Sequence, residues 1–262
     1  MDRIRILGSA VAFSNRDVLL LTALLAFAVP VSGQHRHEHE PERDTGTVAQ
    51  TDAAMSGPLQ GNAALHVEMT PTRPMTARDS ARAAATVRDL RRAIARYRDV
   101  DKAVKDGYQL FAPNVKNQRT YHFTRYRSAI RNSFGFDPAR PTSLLYVKDS
   151  TGEFRLIGAM YTASKRTTLE QLNGRIPLSV ARWHRHVNLC VPRVGDRERW
   201  TEMRDGAPVF GPLSPIATEA ECDRVGGRFL KQIFGSMVHA NVFAGDDPKV
   251  IWEHEHGSGH DH

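Results

Sequence analysis

The hydrophobic period changes once along this chain, and that change limits the folds open to it. Between Thr76 and about Gly107, the residues Ala83, Val87, Leu90, Ile94 and Tyr97 recur at spacings of 4, 3, 4 and 3. Such spacing stacks them on one helix face. Arg88, Arg91, Arg92 and Arg96 fall largely on the other. Thr76 with Asp79 three residues on resembles a capping box that starts the helix. Asp99 or Asp101 is placed to restart a second helix that stops at Gly107.

Past Gly107 the period drops to two. SLLYVK (143–148) and EFRLIGAMYT (153–162) flank Asp149-Ser-Thr-Gly152, a hairpin signal. PLSVARWHRHVNLC (177–190) and GSMVHANVFAG (235–245) alternate apolar and polar residues, as half-buried strands do. A short helix from an N-capping Thr218 through Cys222 to Val225 should end at Gly226-Gly227. Helices first and strands later, without regular βαβ alternation, predict an α+β fold: an N-terminal helix or helix pair packed on a mainly antiparallel sheet.

The ends read differently. Arg3, Arg5 and Arg16 precede an apolar run from Val18 to Val31 that exits through Ser32 and Gly33. The run is shorter than the roughly 20 residues a bilayer span needs. A basic start, a short apolar middle and a small-residue exit describe a secretory signal peptide over residues 1–33. The protein is therefore expected to be periplasmic or secreted, with no membrane span after cleavage. Residues 34–75 are rich in Pro, Gly, Thr, Gln and charge and read as a disordered leader that touches the domain near Leu65–Met69. One domain is expected over residues 76–253, then a His-rich tail over 254–262.

Export alters the reading of charge and cysteine. The net charge is +7, but an exported basic chain meets little nucleic acid, its arginines are scattered, and no RNA-binding or zinc-finger motif is present. No nucleic-acid partner is expected. Cys190 and Cys222 are the only two cysteines. In an oxidising compartment they can pair, and closing that loop would stabilise the fold by about 3–4 kcal/mol on a chain-entropy account. Two free buried thiols, or a Cys–His nucleophile pair, are the alternatives. There is no CxxCH for c-type haem, and no phosphate loop or GxGxxG for a nucleotide. GxSxG and HExxH are also absent.

Histidine is the abundant donor, with twelve in the chain. Eight lie in or near the soft ends: His35, His37, His39, His66, His254, His256, His260 and His262. Interleaved with Glu and Asp, they can capture Zn²⁺, Cu²⁺ or Ni²⁺ weakly, because ordering a flexible segment costs about 1–2 kcal/mol per residue. The plainer reading is a soluble polar tail. The other four are His122, His184, His186 and His239.

On a strand, His184 and His186 point the same way, opposite Trp183, Arg185 and Val187. Met237, His239 and Asn241 share a face opposite Val238, Ala240 and Val242, and His122 points away from Tyr121 and Phe123. Should the three strands neighbour one another, the imidazoles would cluster. Three histidines and an open position suit a divalent transition metal: Zn, Cu or Fe. Asn188 and Asn241 would then support the ligands or bind substrate. The competing reading is ordinary sheet histidines hydrogen-bonded to neighbours such as Asn241 or Tyr121.

RYRDVDKAVKDGY, YHF, DPARPTSLLY, LIGAMYT, WHRHVN and MVHANVFAGDDP together resemble a family of secreted bacterial proteins of unassigned function, over about Arg96 to Trp252. The resemblance implies an exported single domain. The family pattern often carries an acidic residue where this chain has Met160. If that acid is a ligand elsewhere, its absence weakens the metal reading here or turns it towards softer ions such as Cu(I), which accept thioether sulfur.

Three functions are thus open: an exported metal binder, a metal-dependent hydrolase or oxidase with a metal-bound water as nucleophile, and a metal-free envelope or partner-binding protein.

Overall fold

A computed structural model describes residues 61–111, 113 and 118–252, all within one compact unit, Asp44–His262. Residues 1–33, expected to be a signal peptide, the His-rich tail and His35, His37, His39, His254, His256, His260 and His262 lie outside the described residues. In chain order the strands are β1 (Val67–Met69), β2 (Gln109–Leu110), β3 (Tyr121–Thr124), β4 (Ser143–Lys148), β5 (Phe154–Thr162), β6 (His184–Val191), β7 (Met203–Arg204), β8 (Ala207–Pro208), β9 (Arg228–Gln232) and β10 (Met237–Ala240). The helices are α1 (Ala77–Ile94), α2 (Val100–Lys105), α3 (Tyr126–Phe134), α4 (Leu169–Arg175), α5 (Glu219–Arg224) and α6 (Pro248–Trp252).

The fold is α+β. Eight strands form one sheet in the order β1-β6-β10-β5-β4-β3-β2, with β9 on β6, and β7 and β8 pair separately. Every pairing among the described strands is antiparallel.

Helix α1 starts where the sequence places it: the Thr76 hydroxyl accepts the Asp79 backbone N–H. Asp99, rather than Asp101, caps α2 by accepting the Asp101 N–H. Ala83, Val87, Leu90, Ile94 and Tyr97 are all buried and join a core with Leu144, Tyr146, Ala159, Tyr161, Trp183 and Val238 from the sheet. Two of the core tyrosines find backbone acceptors: the Tyr146 hydroxyl donates to Tyr97 O at 2.7 Å and Tyr161 to Pro138 O at 2.7 Å. The Arg91 guanidinium ties α1 to the segment after β10, donating to Val242 O (2.7 Å) and Gly245 O (2.8 Å).

Three expectations need correction. First, the folded region begins by Gly61, not Thr76. A 3-10 turn (Gly61–His66) leads into β1, which pairs with β6 through Val67–His186 and Met69–His184. The leader segment reads as disordered because a three-residue strand is too short to show a period; its pairing comes from β6. His66, counted among the soft-end histidines, is completely buried. Second, the strand read over 177–190 starts only at His184, and residues 177–183 turn over the core. Third, the strand read over 235–245 ends at Ala240. There the chain crosses β5 at Gly158, where a Cβ would lie 2.1 Å from Ala240 O, so only glycine allows the approach.

The Cys190–Cys222 disulfide is present, linking β6 to α5. It sits in a small core with Val209 and Phe210. Gly227 passes over it so closely that a Cβ there would stand 2.5 Å from Cys190 Sγ.

Candidate metal centre

Directly paired residues of antiparallel strands project from the same sheet face, so the register shows what each face carries. One face runs Phe123–Leu144–Ala159–Ala240 across β3, β4, β5 and β10, with Tyr121–Tyr146 and Tyr161–Val238 beside it. This is the aromatic and aliphatic core under α1. The other face runs His122–Leu145–Gly158 across β3, β4 and β5. Two residues along β5, Met160 stands opposite His239. Two residues back along β10, Met237 stands opposite His184, which in turn faces Met69 on β1. His186 faces Val67. All four sheet histidines are therefore on one face.

They also touch. The ring centroids of His122 and His239 are 5.4 Å apart, those of His239 and His184 5.4 Å, and those of His184 and His186 5.3 Å. The first contact requires a strongly curled sheet. Strands β3 and β10 are separated by β4 and β5, which is about 14 Å in a flat sheet at about 4.8 Å per strand. A register shift between Leu145 and Tyr146 and the close crossing at Gly158 supply the bend, as bulges and strand glycines do. The edge-to-face contact of Phe111, just beyond β2, with Phe234, just before β10, spans the same gap (6.4 Å).

The cluster is buried. The four histidines are 2–7% exposed. Burial pushes His122 down to about 4, opposed by a hydrogen bond with the Thr120 backbone and reinforced by His186. Burial likewise pushes His186 down to about 4, with a further push from His66. Neutral imidazoles keep a bare nitrogen lone pair, which is the form that ligates metals. Among the described residues His122 Nδ1 has no hydrogen-bond partner, which is costly for a buried polar atom.

As placed, the rings pack in a chain, His122–His239–His184–His186. Among the described residues, no group of three or more His, Cys, Asp or Glu side chains is arranged to hold a metal ion. Only the three successive ring pairs of that chain stand at 5.3–5.4 Å. Imidazoles bound at about 2.0–2.1 Å to one tetrahedral ion have centroids about 5 Å apart.

The two asparagines separate. Asn188 sits at φ 55° within β6, which turns its side chain out of the alternation; its side-chain amide donates to Leu65 O (3.5 Å) and its backbone carbonyl lies 3.0 Å from His66 Nδ1. It anchors the N-terminal segment rather than the imidazoles. Asn241 is buried just past β10, with its backbone N–H donating to Ile251 O.

His66 is the residue the sequence reading misplaced. Its Nδ1 faces Asn188 O and its Nε2 faces Ser214 O at 2.7 Å. Carbonyl oxygens only accept, so a neutral ring satisfies one of them and a doubly protonated ring both. The hydrophobic spacing of Leu65 and Val67 around it is the faint signal that this segment is folded.

No family model, no curated protein and no solved structure matches the chain. Among the described residues, no helix is long and apolar enough to cross a membrane.

Proposed function

We propose that this chain is an exported protein that binds a transition metal ion through His184, His186 and His239, with His122 as the fourth imidazole. One observation carries the proposal: four buried histidines from three strands line up on one concave sheet face, with successive ring centroids 5.3–5.4 Å apart. Filling that face with apolar residues would serve stability better than clustered imidazoles, whose burial opposes their charged form. A histidine ring turns about two side-chain bonds, so each ring can redirect a nitrogen towards its neighbour's. Export is supported by the basic-apolar-small pattern of residues 1–33 and accords with the Cys190–Cys222 disulfide.

Binding is favoured over catalysis. The rings lie almost wholly out of solvent and against one another, which leaves a substrate little access to an open coordination position. The metal-dependent hydrolase or oxidase is therefore the weaker reading. The metal-free partner-binding reading draws on a different observation: Tyr126, Ile130 and Phe134 recur every four residues along α3 and are exposed, Phe134 to 85%.

The test uses the full chain with His35, His37, His39, His254, His256, His260 and His262 replaced by Ala, so that only the inner cluster can respond. It is expected to bind one equivalent of Zn²⁺ or Co²⁺ and to melt at a higher temperature when loaded. His184→Ala should abolish both effects. No stoichiometric uptake by the parent, or uptake unchanged in His184→Ala, would overturn the proposal.

A further inference from the structure

Resting on the metal-binding reading, we infer that the ion this site is built for is monovalent copper, held by imidazoles together with the thioether sulfurs of Met160 and Met237.

The register places a methionine beside each central histidine. Met160 is the direct cross-strand partner of His239, and Met237 is the direct partner of His184. Met69 flanks His184 from the other side. Met160 and Met237 are buried and share one small cluster with Leu145 and Ile157, apart from the main core. Cross-strand partners have Cβ atoms about 4.5–5.5 Å apart, which is within reach of one ion for a methionine with three rotatable bonds.

Donor chemistry then selects the ion. Thioether sulfur is a soft ligand that suits Cu(I) and adds little for Zn²⁺. Both cysteines are joined in the disulfide, so methionine is the soft donor left to this chain. Among the described residues, the register walk from His122 to Met69 crosses imidazoles, thioethers, Leu145, Gly158 and the hydroxyls of Ser143 and Thr162, with no carboxylate. The cost of burying an ion among neutral ligands grows with the square of its charge, so a monovalent ion is penalised about a quarter as much as a divalent one. Soft sulfur donors and burial away from solvent favour the same ion.

The experiment keeps the full chain with the seven terminal histidines replaced, and adds Cu(I) under ascorbate, which leaves the disulfide intact. Bicinchoninate competes for the copper, and Zn²⁺ is titrated in parallel. The expected result is one Cu(I) withheld from bicinchoninate, at least ten-fold weaker retention in the M160L/M237L variant, and Zn²⁺ uptake within two-fold of the parent. Copper X-ray absorption should show a copper–sulfur distance in the parent that the variant lacks. Unchanged Cu(I) retention in the variant overturns the copper inference while leaving the imidazole site standing. An equal loss of Cu(I) and Zn²⁺ also overturns it, since the methionines would then only support packing. If the parent binds neither ion, both readings fall.

Discussion

The sheet carries two faces of opposite character. Towards α1 the sheet presents Tyr121, Phe123, Leu144, Tyr146, Ala159, Tyr161 and Val238, with Trp183 beside them; these bury large apolar areas, and Tyr146 and Tyr161 send their hydroxyls to backbone carbonyls. Away from α1 the alternate residues are His122, Met160, His184, His186, Met237 and His239. The first face is explained by the hydrophobic effect alone. The second is not: a buried imidazole gains less on leaving water than a leucine, and it brings polar nitrogens that need partners. The contrast separates what holds this fold together from what the fold holds in place. Curl adds the second lesson, because the histidine face lies inside the bend, where residues three strands apart in the sheet order come into contact.

The comparison is tested hardest by acid. In the metal-free protein the unfolded chain takes up protons near the ordinary histidine value of 6.5, whereas His122 and His186 stay neutral down to about 4. The unfolded state binds more protons across that window, so stability is full above pH 6.5 and falls as the pH drops towards 4. The loss is about 3 kcal/mol for each imidazole. Urea midpoints measured from pH 7 to 4 should show this fall, and H122L/H186L should flatten it. An unchanged slope would mean that the histidine face does not set acid stability.

On the opposite face, Leu90→Ala should cost about 3 kcal/mol through the lost burial and the cavity left behind. Metal uptake by the folded protein should be unchanged. A denaturation curve and a zinc titration on the same variant check both halves. Reduced uptake in the folded variant would show that the faces are coupled.

His239→Leu should change stability least, by about 1 kcal/mol, the usual net value of a hydrogen bond exchanged for apolar burial. It should nevertheless remove metal binding, because His239 is the ring that contacts both His122 and His184. A variant that unfolds instead, or that binds metal as before, would erase the distinction between the faces.

Much of the first face was legible in the sequence. Ala83, Val87, Leu90, Ile94 and Tyr97 announced their burial by spacing, and Thr76 announced the start of α1. The facing of His184 with His186 and of Met237 with His239 followed from period two. Three things were hidden. The pairing of Val67–Met69 with β6 depends on a partner more than a hundred residues away. The burial of His66 depends on the carbonyls of Asn188 and Ser214, equally remote. Asn188 leaves the alternation because of its positive φ, which no local pattern announces.

By itself, then, the sequence determined which residues alternate, where the helices start, the α+β class and which histidines share a strand face. These are local properties, set by side-chain period and capping chemistry. Only the tertiary structure decided that β3, with two strands between, bends round to bring His122 against His239. It also decided that Met160 and Met237 stand directly opposite histidines. Register and curl are long-range quantities: they arise from the bulge at Leu145–Tyr146, the crossing at Gly158 and the packing of α1, none of which a local period encodes.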